Sequence, residues 1–370
     1  MSSECKDESS PKQGNKHERF VYKNLGKSGL KVSNICLGGF TFGESQFALP
    51  GQSDEKLSHE IMDIFVEHGG NFFDTANVYG NGNSEKIIGT WLSKRDREQF
   101  VIATKCRFSK TVLEPKFPNC WGLSRKHIFQ AVENSLSNLQ SHYIDLYQMH
   151  CWDSTVPIEE TLMAFNDLVR SGKILYFGVS NMKGWMLQKI VDTCKYMGLS
   201  PVLSLQQQYN LLCRESELEA FEVCEKENIG VLPWGALKSG LLTGKFKTGM
   251  APAQNTRIRY LQDAKPFGEI GDTWEAYDKN EKYWKLMEEL DLIAKAHDKT
   301  VTQVTLRWLL QKDIVTSVII GAKRIDQLKE NIGAAYGWEL SSEEMGRLDA
   351  VSQYDTIKYP YRFIDMLNSK

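Results

Sequence analysis

The sequence predicts an α/β protein folded as a (β/α)8 TIM barrel, and three observations support this. Short apolar segments of strand length occur eight times, and each is followed by a helical pattern or a long loop. Regular alternation of this kind indicates parallel strands joined by crossover helices. Eight such units in a chain of 370 residues fit a closed barrel better than an open doubly wound sheet, which is the alternative fold.

The chain begins with a segment that we expect to be a disordered tail. Residues 1–19 mix charges of both signs with Ser, Gly and Pro, and they lack the apolar stretch of a secretory signal. The next segment, YKNLGKSGLKVS (22–33), places two glycines between short extended pieces and predicts a β-hairpin. We expect the barrel to occupy residues 20–352 and residues 353–370 to form a C-terminal extension.

Eight segments read as strands because they are apolar, short and bounded by turn residues. Parallel strands that are buried on both faces have this composition. In order they are NICLGG, NFFDTA, FVIATK, IDLYQMH, LYFGVSN, LSLQQQYN, GVLPWG and SVIIGA.

The helices are marked by apolar residues at three- and four-residue spacing and by signals at their ends. The first begins at a Ser/Asp cap in SDEKLSHE, Ser84 is a candidate cap of the second, and Ser124 is a candidate cap of the third. Residues 247–283 interrupt the alternation after the seventh strand, and we expect a functional lid or a disordered loop there. Later helices are predicted at 183–196, 215–227, 281–297 and 302–311.

Composition excludes several classes of function. The formal net charge of −2 argues against nucleic acid or an anionic membrane as the main partner. No apolar run approaches the roughly 18 residues that span a bilayer, so no membrane insertion is predicted. The eight cysteines are scattered without a C-x-x-C pair, which indicates reduced thiols and a cytoplasmic location. Neither Cys nor His shows zinc-ligand spacing, and no metal site is predicted.

Polar residues at the strand ends carry the functional signal. Barrel active sites lie at the C-terminal ends of the strands. The second strand ends at Asp74, with Tyr79 in the loop beyond it, the third ends at Lys105 and the fourth at His150. Each residue alone has a structural reading, such as a solvated lysine or a hydrogen-bonded histidine. Their joint occurrence at three successive strand ends favours a chemical role.

The four residue types together suit one kind of chemistry. A tyrosine has a reference pKa of about 10, and a nearby ammonium group lowers the pKa of a phenol. An aspartate beside the lysine keeps it charged and in place, and a histidine can hydrogen-bond a substrate oxygen. This set describes a general acid that protonates a carbonyl oxygen as hydride reaches the carbon.

These segments resemble the aldo-keto reductases. GGNFFDTANVYGNGNSEKIIG is similar to that family's second-strand signature, VIATK to its catalytic-lysine strand and YIDLYQMH to its histidine strand. GVSN, LQQQYN, LPWGALKSGLLTGKF and SVIIGAKRIDQLKEN resemble its cofactor-binding segments in the same order. The resemblance implies that Tyr79 is the general acid, that Lys105 tunes it, that Asp74 holds Lys105 and that His150 orients the carbonyl group.

The resemblance also implies a nicotinamide dinucleotide bound across the barrel mouth. Ser180, Asn181 and Gln206 would hold its carboxamide, and its ring would stack on Trp234. The remaining cofactor positions implied by the resemblance are Gly39, Phe40, Asp74, Gly235, Leu237, Gly240, Gly321, Gln327, Glu330 and Asn331.

Two cations favour NADPH over NADH. Gly321 forms a turn before the last helix, where backbone N–H groups are expected to face an anion. Lys323 and Arg324 lie in that loop, and at the position of the family's adenosine-phosphate site they suggest a 2′-phosphate. Ordinary surface charge is the alternative reading of both residues.

The substrate is predicted to be a small carbonyl compound bound by Tyr79 and His150. Residues from variable loops would line its site, namely Phe40, Phe42, Phe108, Trp121, Trp152 and parts of 245–283. Their apolar and aromatic character suggests aryl or medium-chain aldehydes and ketones. Trp121 and Trp152 could equally serve in packing.

Two other functions stay open. GLSRKHI and the long segment after the seventh strand resemble the branch related to potassium-channel β-subunits. That likeness implies a regulatory protein that associates with a channel and binds NADPH with slow or no turnover, whereas His150 and the short tail favour the enzyme. A non-catalytic barrel scaffold is the third reading. The sequence leaves both channel association and homo-oligomer formation open.

Overall fold

The computed structural model describes residues 19–43, 50–109, 117–264, 273–354 and 357–368. The prediction of a disordered tail lies outside these residues, except at residue 19. Part of the segment that follows the seventh barrel strand also lies outside them.

A short hairpin precedes the barrel, as the sequence predicts. Strand β1 (Tyr22–Asn24) pairs antiparallel with β2 (Lys31–Ser33). Leu25 and Val32 of this hairpin pack with apolar residues of the barrel strands, including Phe72 of the second strand. The hairpin therefore adds apolar side chains to the interior of the barrel.

The main sheet is a barrel of eight parallel strands. The strands are β3 (Ile35–Gly38), β4 (Phe72–Asp74), β5 (Val101–Cys106), β6 (Ile144–Met149), β7 (Ile174–Ser180), β8 (Val202–Gln208), β9 (Gly230–Trp234) and β10 (Val318–Ile320). They are ordered β10-β3-β4-β5-β6-β7-β8-β9. The two ends of this order meet where Thr316 N–H donates to the Val231 carbonyl over 2.9 Å. The (β/α)8 TIM barrel is thereby confirmed, and the open sheet is excluded.

The helices surround the barrel and are capped largely as the sequence predicts. The Asp54 carboxylate accepts from Leu57 N–H at the start of the first helix, and Ser124 accepts from His127 N–H at the start of the third. In the described part of the chain the helices are α1 (Glu55–Glu67), α2 (Asn83–Leu92), α3 (Arg125–Leu139), α4 (Ile158–Arg170), α5 (Gly184–Met197), α6 (Ala220–Glu227), α7 (Arg257–Ala264), α8 (Trp274–Asp278), α9 (Glu281–Ala296), α10 (Val301–Leu310), α11 (Ile325–Ile332), α12 (Ser342–Val351) and α13 (Phe363–Asn368).

Three sequence predictions differ from the structure. Ser84 does not cap α2, because its hydroxyl donates to the Gly39 carbonyl over 2.7 Å and so joins that helix to the turn directly after the first barrel strand. The helix predicted at 215–227 is split into a 3-10 turn (Glu215–Leu218) and α6. The segment 247–283 is not a structureless loop in its described part, since it contains α7, α8 and the start of α9.

No helix among the described residues is long and apolar enough to cross a membrane. The main hydrophobic core lies between the outer faces of the strands and the surrounding helices, where Phe73, Trp91 and Phe165 are wholly buried. A second, smaller cluster fills the barrel interior. The parallel strands leave all their carboxyl ends at one mouth, and the predicted site residues lie there.

Candidate active site

The carboxyl ends of β4, β5 and β6 bring the predicted catalytic residues together. Asp74 is the last residue of β4, Lys105 lies one residue before the end of β5, and His150 directly follows β6. Parallel pairing aligns Asp74 with Ala103 and Lys105 with Gln148. The three residues therefore lie at the same end of the barrel.

The Lys105 ammonium group links the site. It donates to Asp74 Oδ2 over 2.6 Å, to the Thr75 carbonyl over 2.7 Å and to the Tyr79 hydroxyl over 3.4 Å. An ammonium has three donors, so all of them are used. Lys105 is 0% exposed and Asp74 is 3% exposed. A buried charge needs this degree of compensation.

The second oxygen of Asp74 is also satisfied. Oδ1 accepts from the side-chain amides of Gln148 over 3.1 Å and Gln206 over 2.7 Å. The sequence singled out Gln206 as a cofactor contact, and the structure also places it against the carboxylate that anchors Lys105. Gln148 was missed because a polar residue inside an apolar strand gives no separate signal.

Burial and the neighbouring charges shift the pKa values of Lys105 and Tyr79 in opposite directions. Burial by itself would lower the pKa of Lys105, but the Asp74 carboxylate and the Tyr79 oxygen more than offset it and raise that pKa. Burial raises the pKa of Tyr79, and nearby Lys105 only partly counteracts this. Lys105 therefore acts in the direction that the sequence predicts, since it lowers the pKa of the phenol, but the effect of burial is larger and the net pKa of Tyr79 is raised. Tyr79 consequently holds its proton at neutral pH.

His150 is neutral at this site. Burial, followed by the charges of Lys105 and Arg107, lowers the pKa of His150 well below its ordinary value. Its ring centre lies 6.0 Å from that of Tyr79 and 4.9 Å from that of Phe108. Its buried Nδ1 atom has no hydrogen-bond partner in the described part of the chain.

The predicted carboxamide-binding residues meet on the β7–β9 side of the mouth. Asn181 Nδ2 donates to the His150 carbonyl and to Ser180 Oγ, each over 2.9 Å. Trp234 Nε1 donates to Asn181 Oδ1 over 3.1 Å, which fixes the edge of the half-buried indole ring. The amide of Asn181 thus connects the loop after β6, which carries His150, to the indole ring of Trp234.

A cluster of four cations lies beyond this point. Burial lowers the pKa of Lys245, and the charges of Lys323, Arg257 and Arg324 lower it further. Sequence analysis found the two cations after β10 but missed the two that follow β9. Lys245 lies in LPWGALKSGLLTGKF, a predicted cofactor-binding segment in which it was not singled out, and Arg257 lies in residues 247–283, where no strand end or motif marked it.

The cation cluster is joined to the catalytic residues through an aromatic side chain. The Arg257 guanidinium carbon lies 5.2 Å from the centre of the Phe40 ring, and that ring is 4.9 Å from the Tyr79 ring. Arg324 is partly neutralised, because its guanidinium donates twice to Asp326, over 2.9 and 2.8 Å. The Phe40 ring therefore lies between the Tyr79 phenol and the Arg257 guanidinium and contacts both.

Two residues of α11, Gln327 in its first turn and Asn331 in its last, hold the loop in which Lys323 lies. Lys323 N–H donates to Gln327 Oε1 over 3.3 Å, and Asn331 Nδ2 donates to the Gly321 carbonyl over 3.4 Å. One backbone N–H that was expected to face an anion is therefore engaged by Gln327. Glu330 is half-buried on the same helix, next to Asn331 in sequence.

The turn after β9 approaches the cation cluster closely. Gly235 and Gly240 have φ values of +69° and +94°, and half-buried Leu237 lies between them. A Cβ at Gly240 would lie 2.6 Å from Lys245 Nζ. Directly after β3, Gly39 is buried, and a Cβ there would lie 2.6 Å from Ser84 Oγ. A Cβ at Gly240 would require the flexible end of the Lys245 side chain to move, and a Cβ at Gly39 would press on the hydroxyl that joins α2 to this part of the barrel.

Aromatic side chains form one wall of the mouth. The Phe108 and Trp121 ring centres are 5.3 Å apart, and those of Trp152 and Trp185 are 5.4 Å apart. Trp121 and Trp152 are both half-buried, and Trp152 also packs against the main core cluster. Phe42 is only 1% exposed and packs in the core, so its prediction as a lining residue is wrong.

Comparisons with known proteins agree with this geometry. The model of the aldo/keto reductase family matches residues 34–353. A norsolorinic acid reductase of Aspergillus flavus is 32% identical over 91% of this chain and 82% of its own length. An aryl-alcohol dehydrogenase of Pestalotiopsis microspora is 32% identical over 90% and 82%, and an aldo-keto reductase of Metarhizium robertsii is 36% identical over 87% and 88%. The chain therefore belongs to the aldo/keto reductase family.

Proposed function

We propose that this protein reduces aldehydes and ketones to alcohols, with NADPH as hydride donor and Tyr79 as general acid. Family membership supports carbonyl reduction with a nicotinamide cofactor in general. The finer proposal depends on one observation, the hydrogen-bonded chain from Asp74 through Lys105 to Tyr79 at the barrel mouth. Such a chain is the arrangement that a positioned proton donor requires.

Tyr79 donates its proton to the carbonyl oxygen. Negative charge then develops on the phenol oxygen, 3.4 Å from the Lys105 ammonium group. A fixed cation in a buried site stabilises that charge without reorganisation of solvent. Asp74 keeps Lys105 protonated and correctly placed, so its contribution acts through Lys105.

His150 orients the substrate. Its pKa is lowered well below the ordinary value by burial and by Lys105 and Arg107, so the ring is a neutral donor and acceptor. Its ring lies beside that of Tyr79. A substrate carbonyl oxygen between the two rings would accept one hydrogen bond from each.

The chain's own residues fit a nicotinamide dinucleotide. When bound, the cofactor supplies the hydride. Ser180, Asn181 and Gln206 offer amide and hydroxyl groups for its carboxamide, and Trp234 offers a half-buried ring face. The four-cation cluster suits its phosphates, and we assign Lys323 and Arg324 to a 2′-phosphate.

Aromatic carbonyl compounds are the substrates that this mouth favours. Phe40, Phe108, Trp121 and Trp152 supply flat apolar surfaces next to Tyr79 and His150, and such rings attract other rings. Two relatives carry names of enzymes that act on norsolorinic acid and on aryl alcohols. These names support the same substrate class for this chain.

The direct experiment measures oxidation of NADPH and of NADH by the purified full chain over a panel of aryl and alkyl carbonyl compounds. We expect turnover of aryl aldehydes with a lower KM for NADPH than for NADH. Absence of turnover with every compound, combined with tight NADPH binding and co-purification with a channel, would favour the regulatory alternative. The three relatives named above carry enzyme names and give that alternative no support.

A further inference from the structure

Arg107 lies at the barrel mouth, and its part in the chemistry described above is limited to the effect of its charge on the pKa of His150. It follows β5 directly, two residues after Lys105, and is half-buried. Its φ value is +145°, a region that residues other than glycine rarely adopt. Unfavourable backbone conformations of this kind persist where the surroundings impose them, and they cluster at functional sites.

The surroundings fix the guanidinium in place. Arg107 Nε donates to the Trp152 carbonyl over 3.0 Å. Its guanidinium carbon lies 5.1 Å from the centre of the Phe108 ring and 5.0 Å from that of the Trp121 ring. A guanidinium held by two rings and one carbonyl is preorganised, because little side-chain freedom remains to be lost on binding.

Part of its binding capacity is unused. Within the described ranges, no side chain or carbonyl accepts a hydrogen bond from Arg107 Nη1 or Nη2. The Asp153 carboxylate is near enough for the Arg107 charge to help lower its pKa, but the two side chains form no ion pair there. The terminal guanidinium nitrogens carry four N–H donors in a planar arrangement that matches a carboxylate. This cation therefore has the chemistry to bind an anion.

Arg107 is also close to the position where the carbonyl would react. The Phe108 ring that contacts its guanidinium contacts the His150 ring from 4.9 Å. The positive charge is near enough to contribute to the lowered pKa of His150. A substrate one aromatic ring in length could reach from the reacting carbonyl to this guanidinium.

We propose that Arg107 determines substrate specificity by binding an anionic substituent, a carboxylate or phenolate, on an aromatic aldehyde or ketone. This inference rests on the proposed function and narrows its substrate class. The aromatic ring of the substrate would lie against Phe108 and Trp121, with the carbonyl at Tyr79 and the anion at Arg107. Charge-assisted, two-pronged hydrogen bonds supply the preference for a charged substrate over its neutral analogue.

A purely structural reading makes a different prediction. If Arg107 only holds the Trp152 carbonyl and the Trp121 ring in place, its loss would disturb the wall for every aromatic substrate equally. The test must therefore compare a charged substrate with a neutral one of matching shape. A suitable pair is 4-formylbenzoate and its methyl ester.

The experiment measures kcat/KM for both compounds at saturating NADPH in wild type, Arg107→Met, Arg107→Lys and a control, Arg125→Met. The control removes the same charge and a guanidinium–ring contact of 4.6 Å to Phe129 on the outer helix α3. We expect the preference for the carboxylate to fall about tenfold or more in Arg107→Met and to survive in part in Arg107→Lys. The control should keep the wild-type preference. Equal losses on both compounds in Arg107→Met would overturn the proposal.

A binding measurement separates this inference from the proposed function. Calorimetric titration of the NADPH-bound full chain with benzoate and with benzamide requires no turnover. Tighter binding of benzoate, lost in Arg107→Met, supports an anion site even if neither aldehyde is reduced. Equal binding of benzoate and benzamide to the wild-type protein overturns the proposal, and this result does not depend on how well any variant folds.

Discussion

The Lys105 ammonium group lies 2.6 Å from Asp74 Oδ2, and both side chains are almost wholly shielded from solvent. Removal of one partner from a buried pair leaves an uncompensated charge, which costs about 3–5 kcal/mol. We therefore expect Lys105→Met to lower the free energy of unfolding by an amount at the lower end of that range, because Gln148 and Gln206 still donate to Asp74. Urea unfolding measures this change.

The double variant completes the test of the ion pair. Asp74→Asn in the Lys105→Met background removes the charge that Lys105→Met leaves unpaired. The combined variant should therefore be less destabilised than the two single changes added together. Strict additivity would show that the two charges do not stabilise each other in the folded protein.

The rate of carbonyl reduction should be insensitive to pH near neutrality. Burial raises the pKa of Tyr79, so the proton donor is present at neutral pH and is lost only as pH rises through that raised value. Burial and the neighbouring cations lower the pKa of His150, so its neutral form is lost only as pH falls well below its ordinary range. We expect kcat/KM at saturating NADPH to stay level between about pH 6.5 and pH 9.

A titration near neutral pH would contradict that expectation. A fall in kcat/KM with an apparent pKa of about 7–8 would mean that burial does not shift the pKa of Tyr79 or of His150 in the direction given above. Measurement of two substrates of different intrinsic reactivity would show whether the apparent pKa belongs to the free groups or to a change in the rate-limiting step.

The cations after β10 should discriminate between the two dinucleotides. Replacement of Lys323 and Arg324 together by Met removes the charges assigned to a 2′-phosphate. We expect the Kd for NADPH to rise about tenfold or more, since charge-assisted bonds to phosphate are lost, while the Kd for NADH changes little. Fluorescence titration measures both constants, with Arg125→Met as the control. Equal weakening of both cofactors would assign these cations to a group that the two share.

One glycine in α2 is required by a close approach between helices. A Cβ at Gly89 would lie 2.2 Å from the Asn138 carbonyl oxygen and 2.8 Å from the Leu139 carbonyl carbon. Backbone atoms cannot yield as a flexible side chain does, so Gly89→Ala should lower the free energy of unfolding by about 1–3 kcal/mol. Gly346 in α12 is the matched control, since a Cβ there would meet nothing within 4 Å.

The control should change stability in the opposite direction. Alanine costs less conformational entropy than glycine in a helix, so Gly346→Ala is expected to raise the free energy of unfolding by about 0.5–1 kcal/mol. Thermal or urea unfolding of the two variants gives the comparison. Similar small effects at both positions would mean that α2 and α3 can separate without cost.

The barrel could be predicted from sequence because its signals are local. Each strand is a short apolar run and each helix has its own apolar spacing, so eight repeats define the architecture without knowledge of contacts. The strand ends then located Asp74, Lys105 and His150, because parallel strands share one mouth. Tyr79 followed from its place just after β4.

The residues that were missed depend on contacts between distant segments. Gln148 is significant only because it donates to Asp74, 74 residues away. Arg257 joins the cation cluster from residues 247–283, a segment whose path the sequence did not indicate, and Lys245 joins it from a predicted cofactor-binding segment that did not single out this residue. The direction of the Tyr79 pKa was also out of reach, since it depends on how fully the phenol is buried and not only on the neighbouring charge. The sequence also could not show whether the Phe42 side chain is buried or faces the mouth, because that depends on the segments that pack around it.

The central claim is that Tyr79 donates the proton, and Tyr79→Phe tests it most directly. The change removes one hydroxyl and keeps the ring against Phe40 and His150. We expect single-turnover reduction of an aryl aldehyde by the NADPH-bound variant to slow by about 10²- to 10⁴-fold, with the Kd for NADPH nearly unchanged. A variant that reduced the aldehyde as fast as the wild-type protein would contradict the claim.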